Sequence, residues 1–195
     1  MMNFVALIAV MLYATSLMIL AFLHTRYRNH NILRDPVSDY GVGNSKIWFQ
    51  VNGFVGAVGA VLVAWLFNQT GLFVWISTCL VLSAVARIGV VMVPTDIEGQ
   101  PKTWAGRFHL LLAIASFALL YSVVDNATPV LAARNLGAAQ SALIVLRWIA
   151  AGSLAAVVCC LILRPLRGYF GLAERIFLIA IPSWVICAIL TVTII

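Results

Sequence analysis

Long apolar runs alternate with polar segments along this chain. Apolar stretches fall at 3–23, 47–67, 72–93, 108–127, 141–163 and 172–194. Each approaches the length of about 20 residues that a helix needs to cross the hydrocarbon core of a bilayer. The runs are continuous and do not alternate with a period of two, which argues against strands of an outer-membrane barrel. The pattern predicts an all-α polytopic membrane protein, a single bundle of six transmembrane helices occupying 1–195 as one domain. The linkers are uneven. Residues 68–71 predict a tight turn, 24–46 and 94–107 are long and polar, 128–140 is intermediate, and 164–171 is short and basic. The first run lacks a basic segment before it and a small-residue cleavage site after it, so it predicts a retained helix and not a signal peptide.

Details inside the runs refine this picture. In the second run Gly53 and Ala57, and Gly56 and Ala60, are small residues one helical turn apart. Such pairs let helix backbones approach closely in lipid, either within the bundle or between copies of the chain. Trp48, Trp65, Trp75, Trp104, Trp148 and Trp184 fall mostly near the ends of runs, as interfacial anchors do. Pro182 lies inside the sixth run and predicts a kink.

Composition strengthens the assignment. The chain is 64% hydrophobic and 9% charged, against roughly 25% charged for a soluble domain, and its mean hydropathy is +1.07. The net charge of +6 does not point to nucleic acid, because the bases sit in the linkers. Arg26, Arg28, Arg34, Lys46, Lys102, Arg107, Arg164, Arg167 and Arg175 fall on one face of the predicted bundle, whereas the other holds only Arg134. Basic linkers mark the cytoplasmic side. The expectation is a bacterial inner (plasma) membrane protein with linkers one, three and five in the cytoplasm and both termini outside it. Cys79, Cys159, Cys160 and Cys187 lie inside apolar runs and read as buried small hydrophobes, without metal-ligand spacing or disulfides.

Candidate chemistry concentrates in two polar stretches. The stretch from Pro94 to His109 carries two carboxylates, two bases and a histidine between two apolar runs. His109 begins the fourth run. It reads either as a hydrogen-bonded packing residue or as a functional group partnered by Asp96 or Asp39. In the other stretch, Ser38 and Asp39 follow an Asp35–Pro36 turn. Either oxygen can cap the helix that follows, or the two serve a function. Arg87 lies inside the third run, placed to snorkel to the polar face, to pair with Asp39 or Asp96, or to clamp a lipid phosphate. Arg147 and Asp125 lie toward the opposite face and predict an outer-side ion pair. Glu174 suits the N-terminal end of a helix dipole and Arg175 does not, which leaves Arg175 as a topology charge or a member of the polar cluster. The histidines His24, His30 and His109, with Asp39 and Asp96, lack the helical spacing of a ligand set, so no metal and no cofactor are expected.

The segments Asp35-Pro-Val-Ser-Asp-Tyr-Gly41, Pro94-Thr-Asp96 with Gly106-Arg-Phe-His109, and Gly171-Leu-Ala-Glu-Arg175 occur in this order over nearly the whole chain. In them the chain resembles the multi-pass membrane family catalogued as domain of unknown function 998, found widely in bacteria and archaea. The resemblance implies a bundle of about six helices and no agreed activity. Its polar signature falls on Ser38, Asp39, Gly41, Pro94, Asp96 and His109, with Glu174 and Arg175. Phe108 stands where the family more often has an aliphatic residue, and Glu174 where glutamine is frequent.

Three functional readings follow. The leading one is an uncharacterised inner-membrane protein in which Ser38, Asp39, Arg87, Asp96, Arg107, His109, Glu174 and Arg175 form a polar cluster at the cytoplasmic face. That cluster joins linkers one and three and binds lipid headgroups or a partner protein. The second is a metal-dependent membrane lipid hydrolase, by analogy with alkaline ceramidases and adiponectin receptors, which have seven helices and more membrane histidines. The third is a small accessory subunit of a larger membrane complex, or a homo-oligomer. Nucleic acid is not an expected partner.

Overall fold

The structure, a computed structural model, describes residues 2–72, 74–96, 101–134 and 137–193. Residues 97–100 of the polar stretch, and residues 73, 135, 136 and 194 of the expected runs and linkers, lie outside these. Six long helices make up the described chain: α1 (Met2–Arg26), α2 (Lys46–Gln69), α3 (Val74–Met92), α4 (Trp104–Ala132), α5 (Ala138–Ile162) and α6 (Phe170–Thr193). All are long and apolar enough to cross a membrane. Their outward faces carry large apolar side chains such as Phe4, Leu7, Met11, Val85, Leu111 and Ile162. In water such faces would be costly; in lipid they meet hydrocarbon. The chain is thus an all-helical polytopic membrane protein.

Helices adjacent in sequence pack against one another, and α1 returns to meet α6. Helix α6 also touches α2 and α4, which makes it the interior helix. Phe177, Trp184, Ala188 and Ile189 are fully buried along it. The expected small-residue face of α2 is used inside the bundle. A Cβ on Gly53 would collide with the Val91 side chain of α3, and one on Gly56 would stand 2.5 Å from Cζ of Arg87. One on Gly59 would stand 3.0 Å from the ring of Tyr13 in α1.

Three local expectations are corrected. Helix α4 continues past residue 127 to Ala132, through Pro129. The extra turn is fastened from outside: Thr128 Oγ1 donates to the Val124 carbonyl at 2.6 Å and accepts Trp184 Nε1–H at 2.9 Å. Trp184 is therefore a buried core residue and not an interfacial anchor. Neither Ser38 nor Asp39 caps α2. The intervening chain forms 3-10 turns, Val37–Gly41 and Gly43–Ser45, and α2 begins only at Lys46, beyond the two- or three-residue reach of a cap.

Successive crossings bring the α1–α2, α3–α4 and α5–α6 connections to one end of the bundle. The α1–α2 connection is docked on α6 there by the Leu172 N–H donating to the Leu33 carbonyl at 3.0 Å.

Candidate functional site

Among the described residues, the polar groups at this end form three neighbouring hydrogen-bonded constellations. The first joins the α1–α2 connection to the start of α6. Arg175 is 4% exposed. Its Nη1 donates to the carbonyls of Asp35 (2.6 Å), Gly171 (2.9 Å) and Ile32 (3.1 Å). Its Nε donates to His24 Nε2 at 2.5 Å. The partner of His24 Nδ1 is the Leu20 carbonyl. A carbonyl only accepts, so Nδ1 carries the proton and Nε2 offers Arg175 a lone pair. Next to it Glu174, also buried, accepts the Val37 N–H at 2.6 Å. Arg175 is thus a buried clamp and not a topology charge, and Glu174 serves the neighbouring segment instead of its own helix dipole. Close approach explains Gly171: a Cβ there would strike the Asp35 carbonyl oxygen and stand 2.9 Å from that of Ile32.

The clamp shapes the segment that carries His30, Asp35 and Asp39. Ligating atoms of these three lie within 4.8 Å of one another, and both aspartates are buried. Asp35 Oδ2 accepts the Asn31 N–H at 2.8 Å, and Oδ1 accepts from Arg34 Nε at 3.0 Å. Burial works against the charge on Asp35, but the Asn31 N–H and the Arg34 guanidinium outweigh it and hold its pKa below the ordinary carboxylate value. Two carboxylates and an imidazole are a donor set suited to a divalent cation. The three histidines do not converge as one set: His24 serves Arg175, His30 joins the aspartates, and His109 lies elsewhere.

The second constellation is a cleft of about 30 Å³ between the Val37–Gly41 turn, the start of α2, the end of α3 and the start of α4. Ser38, Gly41, Lys46, Thr95 and His109 line it with Phe49. Here the structure does bring the α1–α2 and α3–α4 connections together, through Ser38 and Thr95, with His109 of α4 beside them. His109 is 4% exposed. Its Nδ1 lies 2.9 Å from the Val93 carbonyl, which places the proton on Nδ1. Its Nε2 is buried and makes no hydrogen bond among the described residues. The Val93 carbonyl, and neither Asp96 nor Asp39, is thus the hydrogen-bond partner that orients His109, while Asp96 lies within electrostatic reach of the ring.

Asp96 belongs to the third constellation, which is a helix start. Its Oδ2 accepts the Thr103 N–H at 2.8 Å and its Oδ1 accepts from Thr103 Oγ1 at 2.7 Å. Thr103 in turn caps α4 by accepting the Gly106 N–H at 3.0 Å. A Cβ on Gly106 would collide with the Asp96 carboxylate. The Thr103 side-chain and backbone hydrogen bonds hold the Asp96 pKa below its ordinary value.

Two expected members stand apart. Arg107 is exposed on α4, with its guanidinium 5.1 Å from the centroid of the Trp104 ring. Arg87 neither snorkels to the polar end nor meets Asp39 or Asp96. Its guanidinium lies in the groove left by Gly56, within electrostatic reach of Tyr13. At the opposite end Arg147 Nη2 meets Asp125 Oδ1 at 2.7 Å.

By sequence alone Lys46 is one more linker charge. Its signal was its position: a base at a helix N-terminus opposes the dipole and asks for an anion nearby. Asp35 and His30 offered no such signal, because a fold-dependent turn brings them to Asp39.

No curated protein and no solved structure matches the chain. A family model does match, over residues 7–191. The Asp35–Gly41, Pro94–Asp96 and Gly171–Arg175 segments lie within that match, and the chain belongs to the family described as protein of unknown function (DUF998).

Proposed function

We propose that this chain is an inner-membrane protein that holds an anionic lipid headgroup in the cleft between Ser38, Lys46, Thr95 and His109. The observation that carries the reading is His109. It is buried, oriented by the Val93 carbonyl, and its Nε2 makes no hydrogen bond among the described residues, while the residue itself lines the cleft. A buried polar atom without a partner is costly, and an intramembrane ionisable group is by default a functional one. Lys46 and the positive end of the α2 dipole add favourable charge for a phosphate. No side chain caps α2 or the 3-10 turn before it. The excess of bases in the connections at this end favours its placement in the cytoplasm, with both termini outside.

Thermal unfolding in detergent tests the proposal. Added dioleoylphosphatidylglycerol is expected to raise the melting temperature more than dioleoylphosphatidylcholine, and Lys46→Gln is expected to abolish the difference. A Lys46→Gln protein with the wild-type difference would remove the cleft from consideration.

A second reading, a metal-dependent lipid hydrolase, is favoured by the grouping of His30, Asp35 and Asp39. In that reading those residues would hold a divalent cation able to polarise an ester or to activate water. Elemental analysis after incubation with zinc or manganese separates the two. Stoichiometric metal that is lost in His30→Ala supports the hydrolase, and its absence rules the hydrolase out.

A further inference from the structure

Resting on the headgroup reading, we infer that the cleft selects an anionic headgroup that also presents a free hydroxyl, a phosphodiester-linked polyol of the phosphatidylglycerol type. The argument comes from the two ring nitrogens of His109. The Val93 carbonyl takes the proton on Nδ1 at 2.9 Å. In the neutral ring Nε2 is then a lone pair and requires a donor. A phosphate diester at neutral pH has no proton to give, so phosphate alone leaves Nε2 unsatisfied. A hydroxyl supplies the missing proton without adding charge.

The other groups divide the labour. Lys46 brings a cation, and Ser38 brings a hydroxyl that can donate to a phosphate oxygen. The cavity of about 30 Å³ has room for one group of about the size of a water. It therefore takes a single terminal hydroxyl, with the phosphate outside against Lys46 and the start of α2. A choline headgroup offers neither the net charge nor the donor. An ethanolamine headgroup offers a donor but no net negative charge.

The test compares two lipids of equal charge. Phosphatidylmethanol carries the phosphodiester of phosphatidylglycerol without its hydroxyls. Dissociation constants for both are measured by native mass spectrometry at pH 8 on the full chain. Wild-type protein is expected to bind phosphatidylglycerol about 2- to 10-fold more tightly than phosphatidylmethanol, the range one net hydrogen bond supplies. His109→Asn provides an amide N–H for the Val93 carbonyl while removing the Nε2 acceptor, and is expected to bind the two lipids equally. Its melting temperature without added lipid checks that it is folded. Should it fail to fold, phosphatidylglycerol with both hydroxyls methylated, tested on wild type, must bind like phosphatidylmethanol.

Equal affinities on wild type would overturn hydroxyl selection while leaving anionic headgroup binding intact. No preference for either anionic lipid over phosphatidylcholine would overturn both. Soluble glycerol phosphate competing at the same concentration as phosphatidylglycerol would overturn the lipid as the source of the ligand.

Discussion

Arg175 Nη1 lies 2.6 Å from the main-chain oxygen of Asp35, across 140 residues of sequence. The same guanidinium holds the carbonyls of Ile32 and Gly171 and the His24 ring. One buried cation thereby fixes the path of the chain between α1 and the cleft. Arg175→Ala is expected to destabilise the protein by about 3 kcal/mol, since it strands several buried acceptors at once. Arg175→Lys should recover only part of this, because an ammonium lacks the planar fork. Reversible unfolding in mixed detergent measures the effect. Hydrogen exchange of the 31–41 segment should accelerate with it, and unchanged exchange there would remove Arg175 as its anchor.

The six helices were legible in the sequence because burial in lipid demands continuous apolar runs, a pattern visible without any tertiary knowledge. The Asp125–Arg147 ion pair was legible too, because each residue stands out in an apolar run. The division of the polar end was not. Asp96 looked like a partner for His109, but the nearer Thr103 offers it two donors, and a local loop outcompetes a distant ring. Arg87 looked able to snorkel, but the notch at Gly56 that accepts its guanidinium exists only once α2 and α3 have packed. His30 gains its meaning only when Arg175 has folded the intervening turn.

Gly171 offers a sharper test of the same docking. A methyl group at this position meets main-chain oxygens of Asp35 and Ile32, which cannot rotate away as a side chain can. Gly171→Ala is expected to lower the melting temperature, although alanine is the better helix former and would by propensity alone add about 1 kcal/mol. Gly152 is a control on α5, where an added Cβ has open space, so Gly152→Ala should be neutral or stabilising. Equal responses of the two variants would contradict the close approach.

Asp96 should show itself through pH. Its folded pKa is held below the ordinary carboxylate value by Thr103. Its contribution to the α4 start is therefore present above the unfolded pKa and is lost as pH falls through the lower folded one. Order at this helix start is expected to be flat from neutrality down to about pH 4, the unfolded aspartate value, and to decline only below it. Exchange of the Thr103 and Gly106 amides reports it, and Asp96→Ala should accelerate both at neutral pH. A decline beginning well above pH 4 would contradict the assigned bonds.

The Asp125–Arg147 pair is partly open, with side-chain exposures of 37% and 29%. Solvent reaching those open sides weakens such a pair. A double-mutant cycle with Asp125→Asn and Arg147→Gln is expected to give a coupling of about 0.5–1 kcal/mol that shrinks in high salt. A salt-independent coupling would mean that the pair is shielded by lipid instead of facing water.

Thr128 and Trp184 carry the last prediction, because their bond ties the turn around Pro129 to α6 where the helical ladder is interrupted. Proline has no N–H, so the Asp125 carbonyl loses its helical donor, and the last turn of α4 needs outside support. Trp184 Nε1 supplies it by donating to Thr128 Oγ1 at 2.9 Å deep in the core. Thr128→Val preserves the shape of the side chain but leaves the indole N–H buried without an acceptor, at a cost of about 1–3 kcal/mol. Trp184→Phe in the same background removes the stranded donor and should restore part of the loss, apart from its own smaller packing volume. The pair should therefore be non-additive in a double-mutant cycle. Additive losses would show that the indole finds another acceptor and that packing alone holds the turn beyond Pro129.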